Sequence, residues 1–135
     1  MNRTPRQLIE QARTIAVVGM SADPSKAAHQ VPAQLLAAGF NVLPVNPNHG
    51  EILGLKCVAS LADIDQPIDL VDVFRPARYC AKVAEESAAV GAAALWLQLG
   101  IRSSEARAIA SAAGMDFVED LCIAVERARY GISKT

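Results

Sequence analysis

Cysteine is scarce in this chain. Cys57, Cys80 and Cys122 are odd in number and lack ligand-like spacing, which argues against a disulfide framework or a zinc site and for a reducing, cytoplasmic compartment. An excess of positive charge is also missing: 13 Lys and Arg against 14 Asp and Glu leave a formal charge of −1. No global basic field exists to attract nucleic acid, so any affinity for an anion must come from local groups. Long apolar runs are absent, and Met1-Asn2-Arg3-Thr4-Pro5-Arg6 has no apolar stretch after its charges, so neither a membrane span nor a signal peptide is expected. With no repeat, linker or low-complexity segment, residues 1–135 are expected to form one domain. A full dinucleotide fingerprint is lacking too, because the first candidate turn holds one glycine where G-x-G-x-x-G needs three.

What is present is a hydrophobic fraction of 52%, enough for a chain of 135 residues to bury a core without covalent staples. The run Thr14-Ile15-Ala16-Val17-Val18 leads into Gly19-Met20-Ser21 and then Asp23-Pro24. An apolar strand, a glycine turn and a following helix is the order in which nucleotide-binding α/β domains bring backbone N–H groups to a phosphate.

Thr4-Pro5 predicts a capped helix through about Ala12, and Ile15 to Met20 a strand buried on both faces. A helix over Ala28 to Ala38 ends at Gly39, and a second strand runs from Phe40 to Val45. Asn46 to Gly50 is turn-rich, with a short extended piece near Lys56-Cys57-Val58 and a helical turn from Ser60. Further strands are predicted at Asp69 to Phe74, Ala93 to Leu99 and Met115 to Val118, and helices at Pro76 to Val90, Ser103 to Ala113 and Leu121 to Arg129. This alternation predicts an α/β, doubly wound, Rossmann-like domain with a mainly parallel five-stranded sheet and helices on both faces. The expected strand order, counted along the chain, is 3-2-1-4-5.

In such sheets ligands lie beyond the carboxyl ends of the strands, which selects the candidate site. Gly19 permits close backbone approach, the Ser21 hydroxyl can donate, and Lys26 supplies a positive charge; alternatively Gly19 serves only the turn and Lys26 is solvated. Asn46-Pro47 stands where an NAD site usually has a carboxylate for the ribose hydroxyls. Val73-Phe74-Arg75-Pro76 offers apolar surface and a guanidinium to an adenine and phosphate, or else Phe74 belongs to the core. Strand four ends in Gln98-Leu99-Gly100-Ile101-Arg102, where Gly100 either lets a ligand lie against backbone or makes a simple turn. His29 and His49 have no partner spacing for a metal or a triad. Asp69 and Asp72 are expected to cap or pair at the ends of strand three, and Cys122 to be inert. No nucleophile, base and orienter assemble from these residues.

Several of these motifs resemble a known family. Ile15 to Ser21 with Pro24, Val42-Leu43-Pro44-Val45-Asn46-Pro47, Val71-Asp72-Val73-Phe74-Arg75, Ala94 to Arg102 with its Trp96-Leu97-Gln98-Leu99-Gly100 block, and Glu119-Asp120-Leu121-Cys122-Ile123 are similar to the small bacterial CoA-binding proteins. Those are single Rossmann-like domains akin to the N-terminal domain of the succinyl-CoA synthetase α subunit, and the resemblance runs from about Ile9 to Arg129. It implies coenzyme A as ligand, with the diphosphate at Gly19, Met20, Ser21 and Lys26. The adenosine would then lie near Val45, Asn46 and Pro47 and near Val73, Phe74 and Arg75, and the pantetheine arm would run past Leu99 and Gly100, with Gln98 and Ile101 beside them as further candidate cofactor contacts. CoA carries a phosphate on its ribose, which a carboxylate at Asn46 would repel. The chain departs from the family at Lys26, Ala28 and His29, where arginine, serine and an aromatic residue are common.

The resemblance implies a non-catalytic binding, carrier or regulatory module for CoA or a CoA thioester, with a protein partner left open. The phosphohistidine of related synthetases belongs to a further domain, so ligase activity by this chain alone is not expected. The alternatives are an NAD(P)-binding oxidoreductase or redox sensor, and an enzyme that uses the Cys122 thiol on a CoA conjugate.

Overall fold

The computed structural model describes residues 2–135. Helix α1, Pro5–Gln11, opens with a capping box: the Gln7 N–H donates to Thr4 Oγ1, and the Thr4 N–H to Gln7 Oε1. Strand β1 is Thr14–Val18, α2 is Ala27–Ala37 and β2 is Asn41–Val45. The short strands β3, Glu51–Ile52, and β4, Leu55–Lys56, make a hairpin, followed by a 3₁₀ turn at Leu61–Asp63. Strand β5 is Leu70–Val73; a 3₁₀ turn at Ala77–Tyr79 runs into α3, Cys80–Ala89. Then come β6, Ala94–Leu97, α4, Ser104–Ala112, β7, Asp116–Val118, and α5, Ile123–Arg129.

All four neighbouring pairs in the five-stranded main sheet are parallel. Every residue of β5 and β6 is buried, as strands covered on both faces are. One core layer joins Ile15, Val17, Leu70 and Trp96 to α1, α2 and α5; the other joins Ala16, Val71, Leu95 and Leu97 to α3 and α4. The expected fold class is therefore the one found.

The order along the sheet differs from the expected one. It is β2-β1-β5-β6-β7, or 2-1-3-4-5 counted along the chain. The third main-sheet strand, β5, pairs with β1 and does not lie outside β2. The connector after β2 gives the reason. Val58 forms an isolated parallel bridge with Val45: the Asn46 N–H donates to the Val58 carbonyl at 2.9 Å and the Val58 N–H to the Pro44 carbonyl at 3.0 Å. The chain thus covers its own β2 edge, the position that the order 3-2-1-4-5 reserves for the third strand.

Asp69 behaves as expected, with Oδ2 accepting from the Arg13 and Thr14 N–H groups at 2.9 Å each. Asp72 does not. It lies inside β5, in register with Val17 and Trp96, fully buried, and neither carboxylate oxygen has a hydrogen-bond partner among the described residues. Strand periodicity places it on the α2 and α5 face of the sheet, with Leu70 and away from the strand ends.

The β3–β4 turn consists of Leu53 at φ 54° and Gly54 at φ 73°. Two residues at positive φ match a type I′ hairpin, for which asparagine-glycine is preferred and leucine is strained. Leu53→Asn is expected to raise the unfolding free energy by about 1 kcal/mol in a urea titration. Unchanged stability would show that the exposed Leu53 side chain offsets its backbone cost by packing.

Candidate functional site

The sheet is wound in two directions. From β1 the chain crosses by α2 to β2; from β5 it crosses by α3 and α4 to β6 and β7 on the opposite face. The reversal falls between β1 and β5, and a cleft of about 710 Å³ opens at the carboxyl ends of β1, β2 and β5. Such a volume suits a cofactor-sized ligand.

One wall is the turn after β1. Gly19 has φ 84°, and a Cβ there would sit 2.6 Å from the Phe74 carbonyl oxygen. Its N–H donates to the Val45 carbonyl at 3.2 Å. The next two residues are also held. Asn46 Nδ2 donates to the Met20 carbonyl at 2.8 Å, and Asn46 Oδ1 accepts from the Asn48 N–H at 2.8 Å. The Ser21 N–H donates to the Ala28 carbonyl at 3.0 Å. His29 Nδ1 lies 2.8 Å from the Ser21 carbonyl, and since a carbonyl only accepts, Nδ1 carries the proton. Asn46 therefore does more than omit a carboxylate: it clamps the turn to the end of β2.

No side chain caps the N-terminus of α2, where Lys26 and Ala28 border the cleft. Its first N–H groups and positive dipole end are available to an anion. The nearby Asp23 carboxylate accepts from the Ser25 N–H at 2.9 Å and Oγ at 2.7 Å, and these bonds hold its pKa below the usual range.

The facing wall comes from β5 and α3. Phe74, Arg75, Tyr79, Lys82 and Glu86 border the cleft. The Arg75 guanidinium lies 4.3 Å from the centroid of the Tyr79 ring, and that of Arg78 lies 4.7 Å from it. Arg78 first, then Arg75, lowers the pKa of the Tyr79 phenol. Arg3, Arg6, Arg102, Arg107 and Arg129 all have carboxylate partners, whereas among the described residues Lys26, Arg75 and Lys82 have none within 4.0 Å. Glu86 is the single acid bordering the cleft among those residues.

Gly19, Met20, Ser21, Lys26, Val45, Asn46, Pro47, Phe74 and Arg75 are brought together at this cleft. Val73, Gln98, Leu99, Gly100 and Ile101 are not among the residues that border it. Val73 is fully buried in the sheet. Gln98 is buried, and its Oε1 accepts from the Ile123 N–H at 3.1 Å. The Gly100 N–H donates to Asp120 Oδ1 at 2.7 Å, and Arg102 Nε to Asp120 Oδ2 at 3.0 Å, tying the end of β6 to the end of β7. These bonds, Gly100 first, lower the Asp120 pKa, and Leu99 stands beside them 68% exposed.

The strand order explains the division. Were strand four beside strand one, Gln98 to Ile101 would face Gly19; β5 stands between, so Phe74 and Arg75 do. His49, Ser60, Tyr79, Lys82 and Glu86 also border the cleft, and the sequence reading did not select them. Tyr79, Lys82 and Glu86 follow helical spacing on the element after β5, a signal that was available. Cys122 is half-buried ahead of α5 and does not border the cleft, and no group of metal-binding side chains occurs among the described residues.

Residues 13–128 match the family model described as CoA binding domain. The chain belongs to the CoA-binding domain family. A Bacillus subtilis relative, the uncharacterized protein YneT, is 39% identical over 123 residues, 91% of each chain. A Thermus thermophilus structure, that of cell-free ID.343, superposes with a TM-score of 0.87 at 44% identity, covering 92% of this chain and 94% of that one. An ADP-forming acetate–CoA ligase of Methanocaldococcus jannaschii is 31% identical over 78 residues, which are 58% of this chain and 11% of the ligase. The chain thus matches one relative over nearly its whole length and spans only a small part of the ligase. No helix among the described residues is long and apolar enough to cross a membrane.

Proposed function

We propose that the cleft between β1 and β5 binds coenzyme A or a CoA thioester, and that the chain acts as a non-catalytic holding module. The observation that carries this reading is the charge layout. A glycine turn and an uncapped helix N-terminus on one wall face Arg75 and Lys82 on the other, both without a carboxylate partner among the described residues, with the amide of Asn46 at the end of β2. A diphosphate suits the Gly19–Ser21 turn, the α2 N-terminus and Lys26. Adenosine between Asn46-Pro47 and Phe74 leaves its ribose phosphate to these cations. The pantetheine arm then leaves toward Gly100 and the exposed Leu99. The two cleft serine hydroxyls also hold their own loops, since Ser21 Oγ accepts from the Asp23 N–H at 3.0 Å and Ser60 Oγ donates to Asp63 Oδ2 at 3.2 Å. Family membership supports the choice of CoA over other nucleotides.

Thermal unfolding with CoA, dephospho-CoA and NADH tests the proposal. A ligand at 100 times its Kd adds about 2.7 kcal/mol, a rise of several degrees for a domain of this size. CoA is expected to give that rise, dephospho-CoA a smaller one and NADH none. A shift with NADH and none with CoA would replace this reading by a nicotinamide-linked redox role.

A further inference from the structure

Helix α2 contains a proline at its sixth position, Pro32, and the residue is buried. A proline inside a helix has no N–H, and its ring crowds the carbonyl four residues earlier. That carbonyl belongs to Ala28. In an ordinary helix it would accept from residue 32; here it accepts from the Ser21 N–H at 3.0 Å, outside the helix. The other end of the same residue is bound to the same helix, because His29 Nδ1 donates to the Ser21 carbonyl at 2.8 Å. Both backbone polar groups of Ser21 are thus satisfied by the first turn of α2.

We infer that Pro32 and His29 are positioning residues, which fix the Ser21 backbone so that the Gly19–Ser21 turn is shaped before a phosphate arrives. This inference rests on the proposed binding of CoA in the same cleft. Pro32 acts by leaving the Ala28 carbonyl without its helical donor and so free for the Ser21 N–H; His29 acts by donating from a fixed tautomer. Neither side chain needs to touch the ligand. A turn held in its bound shape loses less conformational freedom on binding, and the benefit appears as affinity. The same proline is unfavourable to the helix itself. Helix stability and ligand affinity therefore respond to it with opposite signs, which no purely structural role produces.

Pro32→Ala restores an N–H that competes for the Ala28 carbonyl. The expected result is an equal or higher Tm, faster amide exchange at Ser21, and a CoA Kd raised roughly three- to tenfold, the size of one ordinary hydrogen bond. His29→Phe keeps a ring but removes the donor, and a similar rise in Kd is expected by titration calorimetry. A wild-type protein that binds CoA beside a Pro32→Ala variant with unchanged Kd would overturn the inference. If the wild type binds no CoA, the CoA reading fails by itself. Ser21 exchange then decides the inference, and an unaltered rate in Pro32→Ala overturns it.

Discussion

Gly19→Ala is expected to lower the unfolding free energy by about 2–4 kcal/mol and to abolish measurable CoA binding at concentrations that saturate the wild type. Two independent costs add. An L-residue at φ 84° lies in the left-handed region, at about 1–2 kcal/mol. The new methyl would also lie 2.6 Å from the Phe74 carbonyl oxygen and 3.1 Å from Arg75 Cδ, so backbone on the opposite wall has to move. That wall cannot yield freely, because the Phe74 N–H donates to the Val18 carbonyl at 2.9 Å. The substitution pushes apart the two strands between which the cleft opens, so stability and affinity fall together. Urea unfolding and CoA titration read the two effects. A variant with wild-type stability and affinity would show that the turn relaxes to another shape, and would remove Gly19 from the site.

Asp72→Val is expected to act in the opposite direction, raising the unfolding free energy at neutral pH by about 1–3 kcal/mol. Neither Asp72 oxygen has a partner among the described residues and the side chain is fully buried. Burial without a counter-charge pushes its pKa well above the usual carboxylate range. The sign of the linkage follows. A carboxyl whose folded pKa is raised contributes no penalty below its unfolded pKa, near 3.8. Stability is lost progressively as pH climbs from there toward the folded pKa, because the unfolded chain ionises and the folded one does not. Urea midpoints measured from pH 4 to pH 8 are expected to decline with pH in the wild type and to decline less in Asp72→Val. A variant less stable than the wild type throughout would show that a buried water or a rearranged neighbour satisfies the carboxyl.

The elements themselves were legible from local chemistry. A continuous apolar run marked β1, and predominantly apolar segments marked β5 and β6, because strands covered on both faces carry few polar positions. Thr4-Pro5 marked the start of α1, and Ser103 that of α4 through its bond to the Ala106 N–H at 3.1 Å. Residues within a few positions of one another settle such features, so a linear reading reaches them. Asp72 was misread for a related reason: an acid beside apolar neighbours suggests a strand end, and only the position of β5 inside the sheet shows that it is sealed in.

Amino-acid order by itself determined the fold class, the glycine turn at Gly19–Ser21, the amide at Asn46 and the membership implied by their combination. Tertiary structure alone decided which strand stands beside β1. That choice depends on contacts between distant segments, above all Val58 along the free edge of β2, which no local propensity encodes. It places Phe74, Arg75 and α3 across from Gly19 and moves Gln98 to Ile101 away from the cleft. The bond from the Ser21 N–H to the Ala28 carbonyl belongs to the same class: Pro32 announces a missing donor, and only the packed helix shows which group takes its place.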